Sequence, residues 1–456
     1  MKLPTLVIAL AVAFCLASPL APLAPLVPPS TRGEVVHSLS LPGVQFHRVN
    51  PMPSVSTGKK VEHHMELVRV PDQENTKRHR SATSHLGQVQ RDHGGFGYEN
   101  VTVVNAYAAE YAVEASFNGI PMKVVVDSGS ADTWLLGSGF ICKDWLNKTQ
   151  PVAVCSFGPS FPGNVSGKPI PNQHFAIQYG DGEAVSGRMT YLDVEFAGIT
   201  VEQQEMALAT QGIWQGNNVT SGVLGLAYPS LTSAYWGNDL GDHSQYNSAP
   251  YEPLFTRMVS DGLIEAVWVI AMDRNSTTGL ISMGGMPPVD ISASHVATAH
   301  LLIANLIGKD ITASQPSFYT IVPDGFLFGQ STWTDEYPCV IDTGTTLTYL
   351  PKDLADAVNA AFDPPATYMW EYGSYFTACD AIPPQFAVII GGSDFIINPQ
   401  DMLNEHAVDT ETGLCQTGIS SGGSGPFILG MTFLTNVVVA MNIQQATIEF
   451  YSREFY

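Results

Sequence analysis

The sequence predicts a mostly β body made of two related halves, and three observations carry that prediction. From Ala106 onward, short β-branched or alternating runs are punctuated by Gly, Asn, Asp and Pro. Examples are Tyr111 to Phe117 before Asn118-Gly119, Lys123 to Val126, and Val437 to Asn442. Helical patterns are few, the best being Tyr251 to Asp261 and Lys352 to Phe362. The third observation is an internal repeat, in which Val125 to Leu135 reads VVDSGSADTWL and Val340 to Leu350 reads VIDTGTTLTYL. A second signature follows each copy: Val223-Leu224-Gly225 begins 96 residues after Asp127, and Ile428-Leu429-Gly430 begins 86 after Asp342. Two ordered pairs make coincidence a poor explanation.

The region before the body has a different character. Residues 1–97 hold 10 Lys+Arg, 6 Asp+Glu and 7 of the 12 His, leaving 10 basic and 36 acidic side chains for residues 98–456. A net charge of −22 excludes the basic footprint of a nucleic-acid binder, and 45% hydrophobic residues across 456 positions are enough for two or three folded units. Lys2, the apolar run Leu6 to Leu16 and the small-residue pattern around Ala17 read as a signal peptide over 1–17, since the run is short of the ~20 residues that span a bilayer. A Pro-rich stretch follows, then a His-rich one, and Lys77, Arg78 and Arg80 form a candidate processing site. The expected organisation is signal 1–17, propeptide 18–80 with an end no later than residue 97, a first lobe over 98–285 and a second over 286–456. The mature product is expected to be secreted, with extracellular delivery favoured over a vacuole, without a membrane anchor, and monomeric. Sequons at Asn100, Asn147, Asn164, Asn218 and Asn275 all lie in the body and suggest a glycosylated surface.

Five cysteines remain after the signal. An oxidising compartment favours disulfides, with one cysteine left over. Cys142 with Cys155 would close a short loop and Cys379 with Cys415 a longer one, although connectivity is not fixed by sequence. Cys339 lies in the apolar run Cys339-Val340-Ile341 and is expected to be a buried free thiol. No CxxC pair is present, so no metal site is expected, and no cofactor.

The repeated Asp-Ser/Thr-Gly triplet carries the chemistry. An Asp after an apolar strand and before Gly sits at a strand end, on a turn that uses glycine's freedom. The hydroxyls of Ser128, Ser130, Thr343 and Thr345 are placed to orient Asp127 and Asp342. Two carboxylates brought together cannot easily both ionise, so they share a proton. The ionised partner can then take a proton from water while the protonated one polarises a carbonyl oxygen.

With these residues in view, the body resembles the pepsin family of aspartic endopeptidases over residues 98–456. Besides VVDSGS and VIDTGTT, Ile177-Gln178-Tyr179-Gly180-Asp181-Gly182 resembles the family's flap hairpin, and Ser221 to Pro229 (SGVLGLAYP) resembles the stretch closing the first lobe's active-site loop. The resemblance implies a bilobal fold with the cleft between lobes. Asp127 and Asp342 would be the catalytic pair, supported by Ser128, Gly129, Ser130, Thr343, Gly344 and Thr345. The shared-proton dyad is a known property of such enzymes rather than a deduction from this chain. Tyr179, Gly180, Asp181, Trp134 and Thr346 would meet substrate, with Tyr179 as the flap tyrosine and Trp134 its hydrogen-bond partner. Asp181 would either accept a basic side chain next to the scissile bond or serve only its turn.

Three departures from the family pattern stand out: Ser128 where Thr is commoner, Glu183 where a small residue is usual, and Met431 where many members have Asp. The propeptide carries no clear inhibitory-lysine motif, and Lys59 and Lys60 are candidates only. The resemblance implies a secreted acid endopeptidase made as a zymogen, cleaving bonds flanked by large hydrophobic residues. Its partners would be polypeptide substrates, its own propeptide and pepstatin-type inhibitors. The rival reading is a catalytically inactive pepsin-like binding or inhibitory protein.

Overall fold

The computed structural model describes residues 45–48, 63–68 and 111–453, apart from 164–166, 245, 273–277, 292–294, 306–314, 371 and 424. The signal peptide, the Lys77/Arg78/Arg80 cluster, Lys59 and Lys60, and the sequons at Asn100, Asn164 and Asn275 lie outside the described residues.

The chain is a bilobal, mostly β molecule. A nine-stranded sheet builds the first half. In it Ala112–Phe117 pairs antiparallel with Ile120–Asp127 through the Asn118-Gly119 turn that the sequence signals. The alternation in these strands is an inside–outside alternation, with Val113, Ala115 and Phe117 in the core and Glu114 and Ser116 less buried. The counterpart in the second half is a seven-stranded sheet containing Cys339–Ile341 and Thr348–Leu350.

The two signatures of the repeat explain each other in this topology. Gly222–Gly225 lies between the two ends of the first motif, parallel to Ile120–Asp127 with Gly225 opposite Asp127, and antiparallel to Trp134–Lys143 with Val223 opposite Trp134. Phe427–Leu429 does the same in the second half, parallel to Cys339–Ile341 and antiparallel to Thr348–Leu350. A strand buried on both sides must be short and apolar. That is why Val-Leu-Gly and Ile-Leu-Gly recur at similar distances from the two Asp residues.

A six-stranded sheet ties the halves together, with Val267–Met272 paired to Val437–Asn442 and the latter to Thr447–Ser452. Its free edge at Thr278–Met283 is taken by His63–Val68 from the basic leader, and Gln45–Arg48 pairs with Leu302–Asn305. One large hydrophobic cluster draws side chains from both halves, including Phe117, Trp268, Phe326 and Phe433. Trp268 Nε1 donates to Tyr319 Oη at 3.1 Å, and that hydroxyl donates to Leu226 O at 2.7 Å, so the polar atoms of these two aromatic side chains are paired.

The expected helices are present with one change. Lys352–Ala360 is helical, but the earlier helix is only Leu254–Ser260 and excludes Tyr251. Pro253 fits at a helix start, where no N–H is needed, and Tyr251 is held elsewhere by a carboxylate. The two disulfides are Cys142–Cys155 and Cys379–Cys415, and Cys339 is a buried free thiol. Burial pushes that thiol well above its ordinary pKa, out of reach of thiolate chemistry. No helix among the described residues is long and apolar enough to cross a membrane.

Candidate active site

Asp127 ends the strand Ile120–Asp127, and Asp342 directly follows Cys339–Ile341. Each carboxylate is then gripped by its own loop. Gly129 N donates to Asp127 Oδ1 at 2.8 Å and Ser130 Oγ donates to Oδ2. Gly344 N donates to Asp342 Oδ1 at 2.8 Å and Thr345 Oγ1 to Oδ2 at 2.6 Å.

The intervening hydroxyl residues cross-link the halves. Ser128 N donates to Thr343 Oγ1 and Thr343 N to Ser128 Oγ, both at 3.0 Å. Ser128 Oγ donates to Ile341 O and Thr343 Oγ1 to Val126 O, both at 2.9 Å. Every donor has its mirror-image partner. Serine at 128 preserves the arrangement because only the hydroxyl is used.

The glycines of the triplets are needed for closeness. A Cβ on Gly129 would stand 2.6 Å from Asp342 Cγ, and one on Gly344 would stand 2.5 Å from Asp127 Oδ1. Each loop therefore packs against the other half's carboxylate, and both carboxylates are buried. Burial first, and the Asp342 charge second, push the Asp127 carboxyl well above the ordinary carboxylate range, against the lowering effect of Ser130 and Gly129.

The hairpin between Lys168–Gln178 and Ala184–Phe196 overhangs this pair. Its turn is closed by Tyr179 N donating to Glu183 O at 2.8 Å and Gly182 N to Tyr179 O at 3.1 Å. Gly182 adopts φ +94°, which glycine tolerates without strain. Asp181 Oδ1 accepts from Glu183 N at 2.9 Å, the turn role open to Asp; the surrounding protein desolvates its carboxyl and raises its pKa. Trp134 Nε1 donates to Tyr179 Oη at 2.8 Å. Desolvation, then the charge of Asp127, push the Tyr179 hydroxyl well above its ordinary value, so it stays neutral. Thr346 follows the second motif, its carbonyl accepting from Thr432 N at 2.9 Å.

Several contributors to the site are not evident in the sequence motifs. Trp214 stands beside the flap, in edge contact with Tyr179 and Trp134 at centroid distances of 5.7 and 5.1 Å, and stacks on Phe157 at 5.6 Å. Glu183 Oε1 accepts from Gln215 N at 2.5 Å, tying the base of the flap to the loop after Trp214. Asp132 is fully buried between the catalytic loop and Trp134; its two oxygens each accept from Ser233 N at 3.0 Å, and Oδ1 also accepts from Tyr251 Oη at 2.9 Å. The signal for Asp132 was present as a break in the repeat, since the second copy has Leu347 at that position.

The profile of the eukaryotic aspartyl protease family matches residues 110–452. The chain belongs to that family. This aspartic-type endopeptidase, a hydrolase, is 36% identical over 417 residues to a probable aspartic-type endopeptidase of Aspergillus fumigatus, covering 88% of this chain and 89% of that one. It is 28% identical over 340 residues to an acid protease of Saccharomycopsis fibuligera, covering 74% and 78%. The crystal structure of an aspartic proteinase from Irpex lacteus superposes with a TM-score of 0.57 at 18% identity, over 76% of this chain and 95% of that one, a likeness of fold.

Proposed function

We propose that this aspartic endopeptidase is a secreted acid enzyme made as a zymogen, hydrolysing peptide bonds flanked by large apolar residues through a water held between Asp127 and Asp342. The observation that carries the reading is the pair of buried carboxylates in a mirror-image cage, one of them with a raised affinity for its proton. With one proton on the pair, the ionised carboxylate takes a proton from water as the water oxygen bonds to the carbonyl carbon, and the protonated carboxyl gives its proton to the carbonyl oxygen. Collapse of that tetrahedral diol breaks the C–N bond, and the amine leaves with a proton returned by the pair.

The aromatic group of Trp214, Phe157 and Tyr179 supports an apolar preference beside the scissile bond. Asp181, whose carboxylate accepts from Glu183 N in the flap turn, is assigned the reception of a basic side chain next to the scissile bond. The strand pairing of His63–Val68 supports a propeptide that packs on the body, and its basic charge against an acidic body supports release in acid as carboxylates protonate. We keep the lobes at 98–285 and 286–456, and glycans at the sequons; Asn147 and Asn218, the two in described residues, are both exposed.

The test is to acidify purified full-length protein and follow its N-terminus and its hydrolysis of denatured protein at roughly pH 3–5, between the titrations of a carboxylate pair. Wild type should shed the leader, work, and be blocked by pepstatin. Asp127→Asn and Asp342→Asn, processed separately, should each lose about 10³-fold or more in kcat, the scale of general acid–base catalysis. Full activity in either variant would overturn the mechanism. An intact wild-type site without proteolysis after leader removal would favour a binding protein.

A further inference from the structure

Single exposed apolar side chains are ordinary on a protein surface. Here they are concentrated. Of the ten large apolar side chains that are exposed among the described residues, Ile141, Trp145, Leu146, Val152 and Val154 fall within one 14-residue stretch. Leu146 is 74% exposed and Trp145 49%. The stretch is the end of the strand Trp134–Lys143 and the loop closed by the Cys142–Cys155 disulfide.

The loop is built to hold its shape. Lys143 pairs with Thr149 across a short antiparallel ladder. Within the turn, Asp144 Oδ1 accepts from Leu146 N and Lys148 N, both at 2.9 Å, and Oδ2 accepts from Gln150 Nε2 at 2.7 Å. The disulfide fixes the far end. Trp145 and Leu146 are thus presented to solvent from a turn with few conformations left to lose.

The loop also adjoins the cleft. A methyl group placed on Gly182 at the flap tip would stand 3.3 Å from Trp145 Cζ3, so the indole lies against the flap. The strand feeding the loop begins at Trp134, the partner of Tyr179. Trp145 therefore brings the loop up against the flap, and a polypeptide under the flap must continue past it on both sides.

We propose that residues 141–154 form an exosite, an apolar extension of the cleft that takes hydrophobic side chains of the polypeptide substrate outside the stretch covered by the flap. It rests on the peptide-cleaving role proposed for the cleft. Preorganised apolar surface binds at low ordering cost, which suits a region that gains only from longer substrates. The competing cover is the chain's own carbohydrate, because the sequon Asn147-Lys148-Thr149 lies in the same turn.

The experiment compares activated wild type with Leu146→Ser/Val154→Ser, two exposed positions away from the flap contact. Both proteins are given a peptide just long enough to lie under the flap and the same peptide extended by three apolar residues at either end. The double variant should lose about five- to ten-fold in kcat/KM on one extended peptide, carried by KM, and change by less than about two-fold on the short one. The same comparison in an Asp127→Asn background, read as fluorescence anisotropy of labelled peptides, should give the same loss of affinity. Equal losses on short and extended peptides would overturn the proposal, because the loop would then act only through the flap. No loss on any peptide would overturn it too, leaving the Asn147 glycan or another molecule as the cover. Should wild type cleave neither peptide, the hydrolytic reading fails while the binding comparison still decides this one.

Discussion

The two copies of the motif agree where chemistry is done and part where substrate is met. Between Asp127 and Ser130, and between Asp342 and Thr345, the hydrogen bonds correspond one for one. Two residues further on the copies diverge. Asp132 faces Leu347 in the alignment and Trp134 faces Tyr349. Among the described residues, the hairpin over the pair comes from the first half, and Trp134 anchors it. A reaction on a carbonyl that uses two equivalent oxygens favours symmetry in the floor. A polypeptide has direction, so the walls need not match.

The largest effect expected from this comparison concerns the cross-link of the floor. Ser128→Ala removes the donor to Ile341 O and the acceptor of Thr343 N, and Thr343→Ala removes the mirror pair at Val126 O and Ser128 N. Each leaves two buried backbone groups unpaired, a cost of about 2–4 kcal/mol on the processed enzyme. The two losses should agree within about 1 kcal/mol, and Ser128→Thr should cost less than about 1 kcal/mol, since it keeps the hydroxyl. Urea midpoints measure this. A severe Thr343→Ala beside a harmless Ser128→Ala would break the symmetry of the floor.

Symmetry also governs what was legible in the sequence. The catalytic loops are local, repeated and short, so their residues and roles follow from the triplets and the strands before them. The flap is legible through the likeness of Ile177 to Gly182 to the family's hairpin. The bonds that hold the walls join distant residues and leave no local pattern. Asp132 and Tyr251 are 119 positions apart, and Glu183 reaches Gln215 across 32. Glu183 stood out as a departure from the family pattern, and its hydrogen bond to Gln215 N gives that departure a structural use. Met431, another departure, is buried at the start of the helix Met431–Leu434, its N donating to Thr345 O at 2.8 Å. Pairing of the leader's His63–Val68 with Thr278–Met283 was invisible for the same reason, because an edge strand does not name its partner.

The divergence of the walls can be measured with two matched deletions of one hydroxyl. Tyr179→Phe strips the acceptor from buried Trp134 Nε1 at the flap. Tyr349→Phe removes a hydroxyl on the opposite side of the cleft, which burial, and then the charge of Asp181 on the flap, push up to about 12. Each change keeps the ring. Tyr179→Phe should lower kcat/KM about ten-fold, the worth of one net hydrogen bond, and Tyr349→Phe by less than about two-fold. Equal losses on one peptide substrate would mean that both walls position substrate alike.

The smallest effect tests the floor by its proton. The Asp127 carboxyl is raised by burial and by Asp342, so the folded chain holds a proton where the unfolded chain has released it. The stability contributed this way is fully present below the ordinary Asp value of about 3.9 and is lost as pH rises through the raised value. Wild type should therefore lose thermal stability from roughly pH 4 to 7, and Asp127→Asn should lose about 2–4 °C less over the same range. Asp342→Asn removes only the second cause and leaves Asp127 buried, so it should flatten the curve in part. An identical slope in wild type and Asp127→Asn would mean that the proton is not held by the pair. The asymmetry between the two variants would then have to come from the walls, where the copies already differ.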